Sequence, residues 1–240
     1  MKQVFDLYKT TIGKKIVIAL SGLILYGFVF SHMLGNLKAF AGFGANGVHK
    51  LDIYAVFLRV MGKNFLGYGT VLWIARGVLL VAVVAHVVTV IQLQILNKKS
   101  RPKDYKKYRY QASSWASRFM FYGGIILALF IIVHLLHITF GYYVKDWVEG
   151  HVYANIYAAF KNPIAVSFYM VAMAALSFHL YHGVWSMFQT LGLVSPDRNS
   201  IFRVVAIFSA VIIALGFISV PLSIFFGLLP EPSLNFIVAH

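Results

Sequence analysis

The chain has no cysteine and little acid, with 7 Asp and Glu among 240 residues against 21 Lys and Arg. Without cysteine there is no disulfide framework, no thiolate zinc site, no cysteine-ligated iron–sulfur cluster and no cysteine nucleophile. Charge of either sign is scarce, at 12% of residues, where a soluble domain carries about 25%. What fills the chain is apolar: 60% of residues are hydrophobic and mean hydropathy is +0.78. This balance excludes an ordinary soluble enzyme, a disordered tail and a fibrous protein.

Apolar runs of about 18 residues or more distinguish membrane spans from one large core. Five such runs are present, over Ile16–Leu37, Thr70–Leu96, Phe119–Val144, Pro163–Leu191 and Val204–Leu229. None contains Asp or Glu, and Arg76 is the only Lys or Arg inside them. At about 1.5 Å of rise per residue, each can cross about 30 Å of hydrocarbon as a helix. The expected fold is therefore an all-α integral membrane protein, one membrane domain over residues 1–240. The first run is too long for a signal-peptide core and no small-residue cleavage site follows it, so it is expected to stay as a helix.

The basic residues are distributed unevenly. Before the first span, between the second and third, and between the fourth and fifth there are 14 Lys and Arg; the opposite connections hold 6. The positive-inside rule puts the N-terminus in the cytoplasm and the C-terminus outside. Trp115 and Tyr122 then mark the inner interface, and Tyr68, Trp73, Tyr142, Tyr143 and Trp147 the outer one. The net charge of +14 thus reports orientation rather than nucleic-acid binding. In residues 48–66, Leu51, Tyr54, Phe57, Leu58 and Met61 recur at helical spacing, which predicts an amphipathic helix on the outer surface, with a plain loop as the alternative. No fixed-period repeat is present.

Of nine histidines, His49, His151 and His240 fall outside the spans, and His32, His86, His134, His137, His179 and His182 fall inside. An ionisable side chain in a span is costly and normally faces a partner in the bundle. Six on four helices without a carboxylate need a common cause. A di-iron or zinc-hydrolase site would need carboxylate ligands or an H-E-x-x-H helix, and both are missing. Proton relays and transporters normally mix His with Asp or Glu, and neither broken helices nor inverted repeats occur. A six-coordinate b-type haem needs only two neutral imidazoles from facing helices. Four His-bearing helices suit two such haems.

Depth suggests which histidines pair. His32 and His134 sit roughly 22–24 Å from the inner helix ends, and His86 and His179 roughly 15–18 Å. His32 with His134 would clamp an outer haem and His86 with His179 an inner one. His137 and His182 each follow another candidate by three residues, so spacing alone leaves open which member of each pair holds iron. The spare histidine is either a neighbour of a haem propionate or quinone, or is satisfied by a backbone carbonyl. Small residues accompany the candidates: Ser31 and Gly35, Ala82 and Ala85, Ala175, Ser177 and Gly183. They suit a flat macrocycle or ordinary close helix packing. Arg76 near the outer face could reach a haem propionate or quinone carbonyl, or snorkel to lipid headgroups; Arg118 could serve the inner propionates or act as an orientation anchor.

Four stretches carry a family likeness: Phe30-Ser-His-Met-Leu-Gly-Asn-Leu37, Trp73-Ile-Ala-Arg76 through His86, Ser117-Arg118 through His134-Leu-Leu-His137, and Leu176-Ser-Phe-His-Leu-Tyr-His-Gly-Val-Trp185. With a His-free fifth helix after them, the chain resembles the single-chain, five-helix, di-haem cytochrome b that anchors succinate dehydrogenase or fumarate reductase. The resemblance implies that the first four helices form the haem-binding bundle. It implies iron ligands at His32 and His134 for the distal haem and at His86 and His179 for the proximal one. It also implies cytoplasmic partners, an FAD-containing flavoprotein and an iron–sulfur subunit, in a bacterial-type cytoplasmic membrane. Electrons would pass from the iron–sulfur subunit through two haem b groups to a quinone, menaquinone by family analogy, or in reverse for fumarate reduction. Some fumarate-reducing members carry a Glu where Ser177 stands, as part of a transmembrane proton path; this chain has no Glu at that position.

With neither a dinucleotide fingerprint nor cysteine, the chain cannot oxidise succinate by itself. The basic segment 97–118 is a candidate docking surface for the iron–sulfur subunit. His49, Lys50, Asp52, Tyr54 and Arg76 are candidates for the quinone's surroundings. Two other functions fit parts of the pattern: a di-haem cytochrome b of a hydrogenase or formate dehydrogenase, and a His-lined channel or transporter.

Overall fold

The computed structural model describes residues 2–100, 115–195, 197 and 199–232. Among the described residues, five helices are long and apolar enough to cross a membrane. They are α2 (Thr11–Asn36, continued by a 3-10 turn to Ala41), α5 (Thr70–Lys99), α6 (Trp115–His134, extended by a π-helical turn to Thr139), α8 (Pro163–Thr190) and α9 (Asn199–Phe225). Between and before them lie α1 (Lys2–Lys9), α3 (Lys50–Val60), α4 (Lys63–Leu66) and α7 (Val152–Phe160).

The helix starts follow from local chemistry. The Thr10 hydroxyl accepts from the Gly13 N–H, and Asn162 Oδ1 from the Ile164 N–H with Pro163 in the first turn. α3 begins at His49, whose Nδ1 accepts from the Leu51 N–H at 3.1 Å. The third span ends at Thr139, before the expected Val144. Gly141 at φ +74° and Tyr143 at φ +64° turn the chain out of the helix, and a Cβ on Gly141 would collide with the Trp147 ring. The last helix likewise stops at Phe225, before the expected Leu229, with Gly227 at φ +70° just beyond it.

α9 packs most extensively, on α8; α2 lies along α5 and α6 along α8, and α2 also touches α8 and α9. The expected helix in 48–66 is present as α3, with the single turn α4 after it. The sequence reading has no counterpart to α7, a nine-residue apolar segment too short to span. α7 lies with α3 and the ends of α8 and α9 in the largest buried cluster, around Tyr153, Ile156, Phe160, Tyr169 and Ile224.

That cluster caps one end of the bundle. His49 is 2% exposed and stacks flat on Tyr153, with ring centroids 3.5 Å apart. Asp52 Oδ1 accepts from the Tyr153 N–H at 2.9 Å, capping α7 from a neighbouring helix. Tyr153 donates to the Pro230 carbonyl at 2.6 Å; burial, with Tyr157 beside it, pushes its phenol up to about 12, so it remains the donor. A second cluster joins Met33 of α2 to Leu180 of α8 and Ala210 and Ile213 of α9. Gly216 permits this approach, because a Cβ there would stand 2.5 Å from Met33 Sδ.

Two predictions follow from this packing. Gly216→Val overpacks a site where Met33 is 1% exposed, and should cost about 1–3 kcal/mol, read as a lower Tm of the detergent-purified protein. Burial lowers the His49 pKa, with the Asp52 charge and the Ala39 carbonyl opposing it in part. Folded His49 is therefore neutral where the unfolded chain, at the ordinary value of 6.5, already binds a proton. Stability should fall as pH drops below that value. His49→Asn keeps a capping acceptor without a titrating ring, so Tm should fall less steeply between pH 6.5 and 5 in the variant, by differential scanning fluorimetry.

Candidate functional site

The structure brings the intramembrane histidines together in two pairs. His32 of α2 faces His134 of α6, with ring centroids 6.0 Å apart and planes at 76°. His86 of α5 faces His179 of α8 at 6.3 Å and 60°. Both pairs join the α2–α5 pair of helices to the α6–α8 pair, which also meet directly where α2 touches α8. Neither α2 with α6 nor α5 with α8 is a closely packed pair among the described residues. Imidazoles meet where backbones stand apart.

Each ring is held from behind. Ser21 Oγ donates to the Val17 carbonyl at 2.7 Å, so at 3.1 Å from His86 Nδ1 it acts as acceptor. His86 is thereby set as the Nδ1–H tautomer, and the Nε2 lone pair is left for the interior. Gly22 makes room for this ring: a Cβ there would sit 3.4 Å from His86 Cε1. The Tyr169 hydroxyl lies 3.1 Å from His134 Nδ1 and 3.2 Å from His137 Nδ1. One hydroxyl proton serves one imidazole, so Tyr169 donates to one ring and accepts from the other. Phe28 stacks on His32 at 5.3 Å and Phe130 on His134 at 5.5 Å, while Phe217 closes on His32 at 5.6 Å.

His179 behaves differently. Its Nδ1 is buried and meets no hydrogen-bond partner among the described residues, and the same is true of His182 Nδ1. An unpaired buried nitrogen costs about 1–3 kcal/mol. A cavity of about 400 Å³ opens beside His179, lined by Gly123, Ile126, Ala175 and Phe178 among others. Ala175, one of the small residues expected to flank a macrocycle, stands in that wall.

The residues fit haem by their chemistry: neutral nitrogen donors, an apolar surround, aromatic walls and an orphaned nitrogen beside a cavity.

Of the remaining sequence candidates, His137 stays beside the His32–His134 pair and the others are dispersed. His137 turns to Tyr169, and His182 packs edge-on against Trp185 at 6.2 Å. Arg76 is exposed and lies over the Trp73 ring at 4.7 Å. Arg118 belongs to the first turn of α6, and its side chain lies outside the described residues, as does most of the 97–118 segment. His49, Asp52 and Tyr54 build the end cap. Sequence reasoning missed Ser21 and Tyr169. The available signal was their register: Tyr169 stands ten residues before His179 in α8, and Ser21 eleven before His32 in α2, each about three turns away on the same helix.

Comparison with known proteins gives one family. Residues 96–219, just over half of the chain, match the succinate dehydrogenase/fumarate reductase transmembrane subunit family. No curated protein and no solved structure matches. The matched stretch contains α6, α8 and most of α9, and so one histidine of each facing pair, His134 and His179. A five-span, all-helical chain with that match belongs to the succinate dehydrogenase/fumarate reductase transmembrane subunit family.

Proposed function

We propose that this subunit carries electrons between an iron–sulfur partner and membrane quinone through two haem b groups. One would be held by His32 and His134, the other by His86 and His179. The observation that carries this reading is the pair of imidazole couples, at 6.0 and 6.3 Å, spanning helices that do not pack on each other. Family membership implies association with the flavoprotein and iron–sulfur subunits of the complex.

Bound there, each haem supplies a one-electron couple inside the membrane. The chain's own residues do the rest. Ser21 fixes the His86 tautomer and, by accepting from Nδ1–H, makes Nε2 the more basic nitrogen. Tyr169 orients His134 and is itself steadied by His137. Phe28, Phe130 and Phe217 keep water from the His32–His134 pair. His182, with its Nδ1 unpaired, is the donor offered to a propionate or a quinone carbonyl. Arg76, exposed on the membrane-facing wall, offers the same to a group arriving from lipid. Arg118 is assigned to propionates at the other end.

The proposed orientation puts the α3–α7 cap outside and the basic 97–118 segment in the cytoplasm, against the iron–sulfur subunit. The quinone is assigned as menaquinone by the family resemblance. Succinate oxidation and fumarate reduction are the two directions of the same path.

The test is a reduced-minus-oxidised spectrum with a haem count per chain, expected to give two haem b. His32→Ala and His134→Ala should remove one and the same haem, and His86→Ala and His179→Ala the other. His137→Ala should retain both; its loss of a haem while His134→Ala keeps two would overturn the ligand assignment. Ser21→Ala removes the acceptor behind His86. It should raise the potential of the His86–His179 haem alone and weaken its retention about 10–100-fold, by redox titration and haem-release kinetics.

A further inference from the structure

Behind the His32–His134 pair lies a hydrogen-bonded chain of three side chains whose direction has a consequence for the site. The Tyr169 hydroxyl stands 3.1 Å from His134 Nδ1 and 3.2 Å from His137 Nδ1. Tyr169 is 6% exposed, and its hydroxyl has no third hydrogen-bond partner among the described residues. A hydroxyl carries one proton, so the chain runs from His134 through Tyr169 to His137, or the other way.

The other imidazole pair shows how such a direction is set. Ser21 gives its proton to the Val17 carbonyl and can only accept from His86 Nδ1–H. The Tyr169 chain has the same parts: a ligand candidate, a hydroxyl, and an acceptor behind the hydroxyl. Here the acceptor is His137 Nδ1 in place of a backbone carbonyl. His137 reaches the hydroxyl from the π-helical turn Leu135–Thr139 that follows His134, closed by the Phe140 N–H on the Leu135 carbonyl at 3.1 Å. Such wide turns are rare and concentrate at functional sites.

Metal binding at His134 selects between the two directions. If Tyr169 donated to His134 Nδ1, the ring's proton would sit on Nε2 and close that nitrogen to a metal. If Tyr169 donates to His137, its oxygen shows His134 only a lone pair. His134 is then held as the Nδ1–H tautomer with Nε2 open, and His137 carries its own proton on Nε2.

We propose that His137 is a positioning residue for the His32–His134 haem, acting through Tyr169 to fix the His134 tautomer and lower the haem's potential. The inference rests on the two-haem reading above and adds to it the direction of this chain and a role for His137. A hydrogen bond from Nδ1–H to an acceptor makes Nε2 more basic, which favours ferric over ferrous iron. Each bond polarises the next, so the acceptor behind Tyr169 strengthens the bond in front of it.

The test is redox titration of the two haem b couples in the complex in mild detergent, with haem count and Tm read on the same samples. The couple missing from His32→Ala identifies the outer haem. Tyr169→Phe keeps the ring that packs on Phe160 and Phe130 and removes the hydroxyl. It should move the outer couple toward the reduced form about tenfold, or about 59 mV, the scale of one hydrogen bond. His137→Leu removes the acceptor and should move the same couple the same way by a smaller step, about threefold. His137→Asn restores an acceptor near the place of Nδ1 and should return the couple to within about twofold of wild type. The inner couple should stay unmoved in all three. An unmoved outer couple in Tyr169→Phe or His137→Leu, equal shifts in His137→Leu and His137→Asn, or a shift of both couples would overturn this inference and leave the two-haem reading standing. Loss of a haem in His137→Leu would make His137 a ligand and overturn it as well. Fewer than two haems in the wild type would overturn both.

Discussion

Hydrocarbon offers a polar side chain no water, so each such group in a span must find its partner in the protein. In this chain the constraint is unusually tight, because no carboxylate lies inside any span. Imidazole, hydroxyl, amide and ammonium are left to satisfy one another, and several do, although His179 and His182 Nδ1 meet no partner among the described residues. They do so in pins that tie particular helices together: Ser21 to His86 and Lys14 to Gln92 join α2 with α5, and Tyr169 to His134 and His137 joins α6 with α8. These are the same helices whose backbones pack closely. The pinned pairs meet where α2 touches α8, and the facing histidines link helices that are not themselves closely packed among the described residues.

The end cap and the histidine site meet at Tyr169. Tyr169 belongs to the buried cluster of α3, α7, α8 and α9, and its hydroxyl also holds His134 and His137. Phe160 of α7 packs edge-on against its ring at 4.9 Å and Phe130 at 5.2 Å. The rotamer of Tyr169 is therefore set by the cap, and the orientation of His134 by Tyr169. The rigid placement that the proposed ligand role of His134 would need takes such support behind the ring. Here it comes from aromatic packing, not from a carboxylate.

The spans were legible because bilayer thickness imposes a length, and the histidines because ionisable groups are so rare inside apolar runs. Rise per residue was enough to set His32 beside His134 in depth and His86 beside His179, and those are the rings the fold brings together. Other features were not legible, for identifiable reasons. α7 is too short to span and shows no alternation against charge, so its burial depends on partners distant in sequence. Ser21 and Tyr169 look like ordinary span residues until a second helix supplies the imidazole. Lys14 counts as an orientation charge before the first span, yet it lies buried in its first turns, because Gln92, 78 residues on, and Tyr8 enclose it. The helix ends at Thr139 and Phe225 depended on backbone conformation at Gly141 and Gly227, which hydropathy does not report.

The family match covers α6, α8 and most of α9, whereas His32 and His86 stand on helices before it or at its edge. A ligand pair needs one imidazole from each side, so half of each proposed site lies outside the matched stretch. The two halves are under different demands. α8 carries His179 and also packs on α6, α9 and α2, so many of its positions answer to several neighbours at once. α5 leans on α2 and leaves much of its length to lipid, so beyond His86, the Ser21 contact and the Thr89–Gln92 cluster its residues need only be apolar. In the proposed reading the facing imidazoles join both halves into one site.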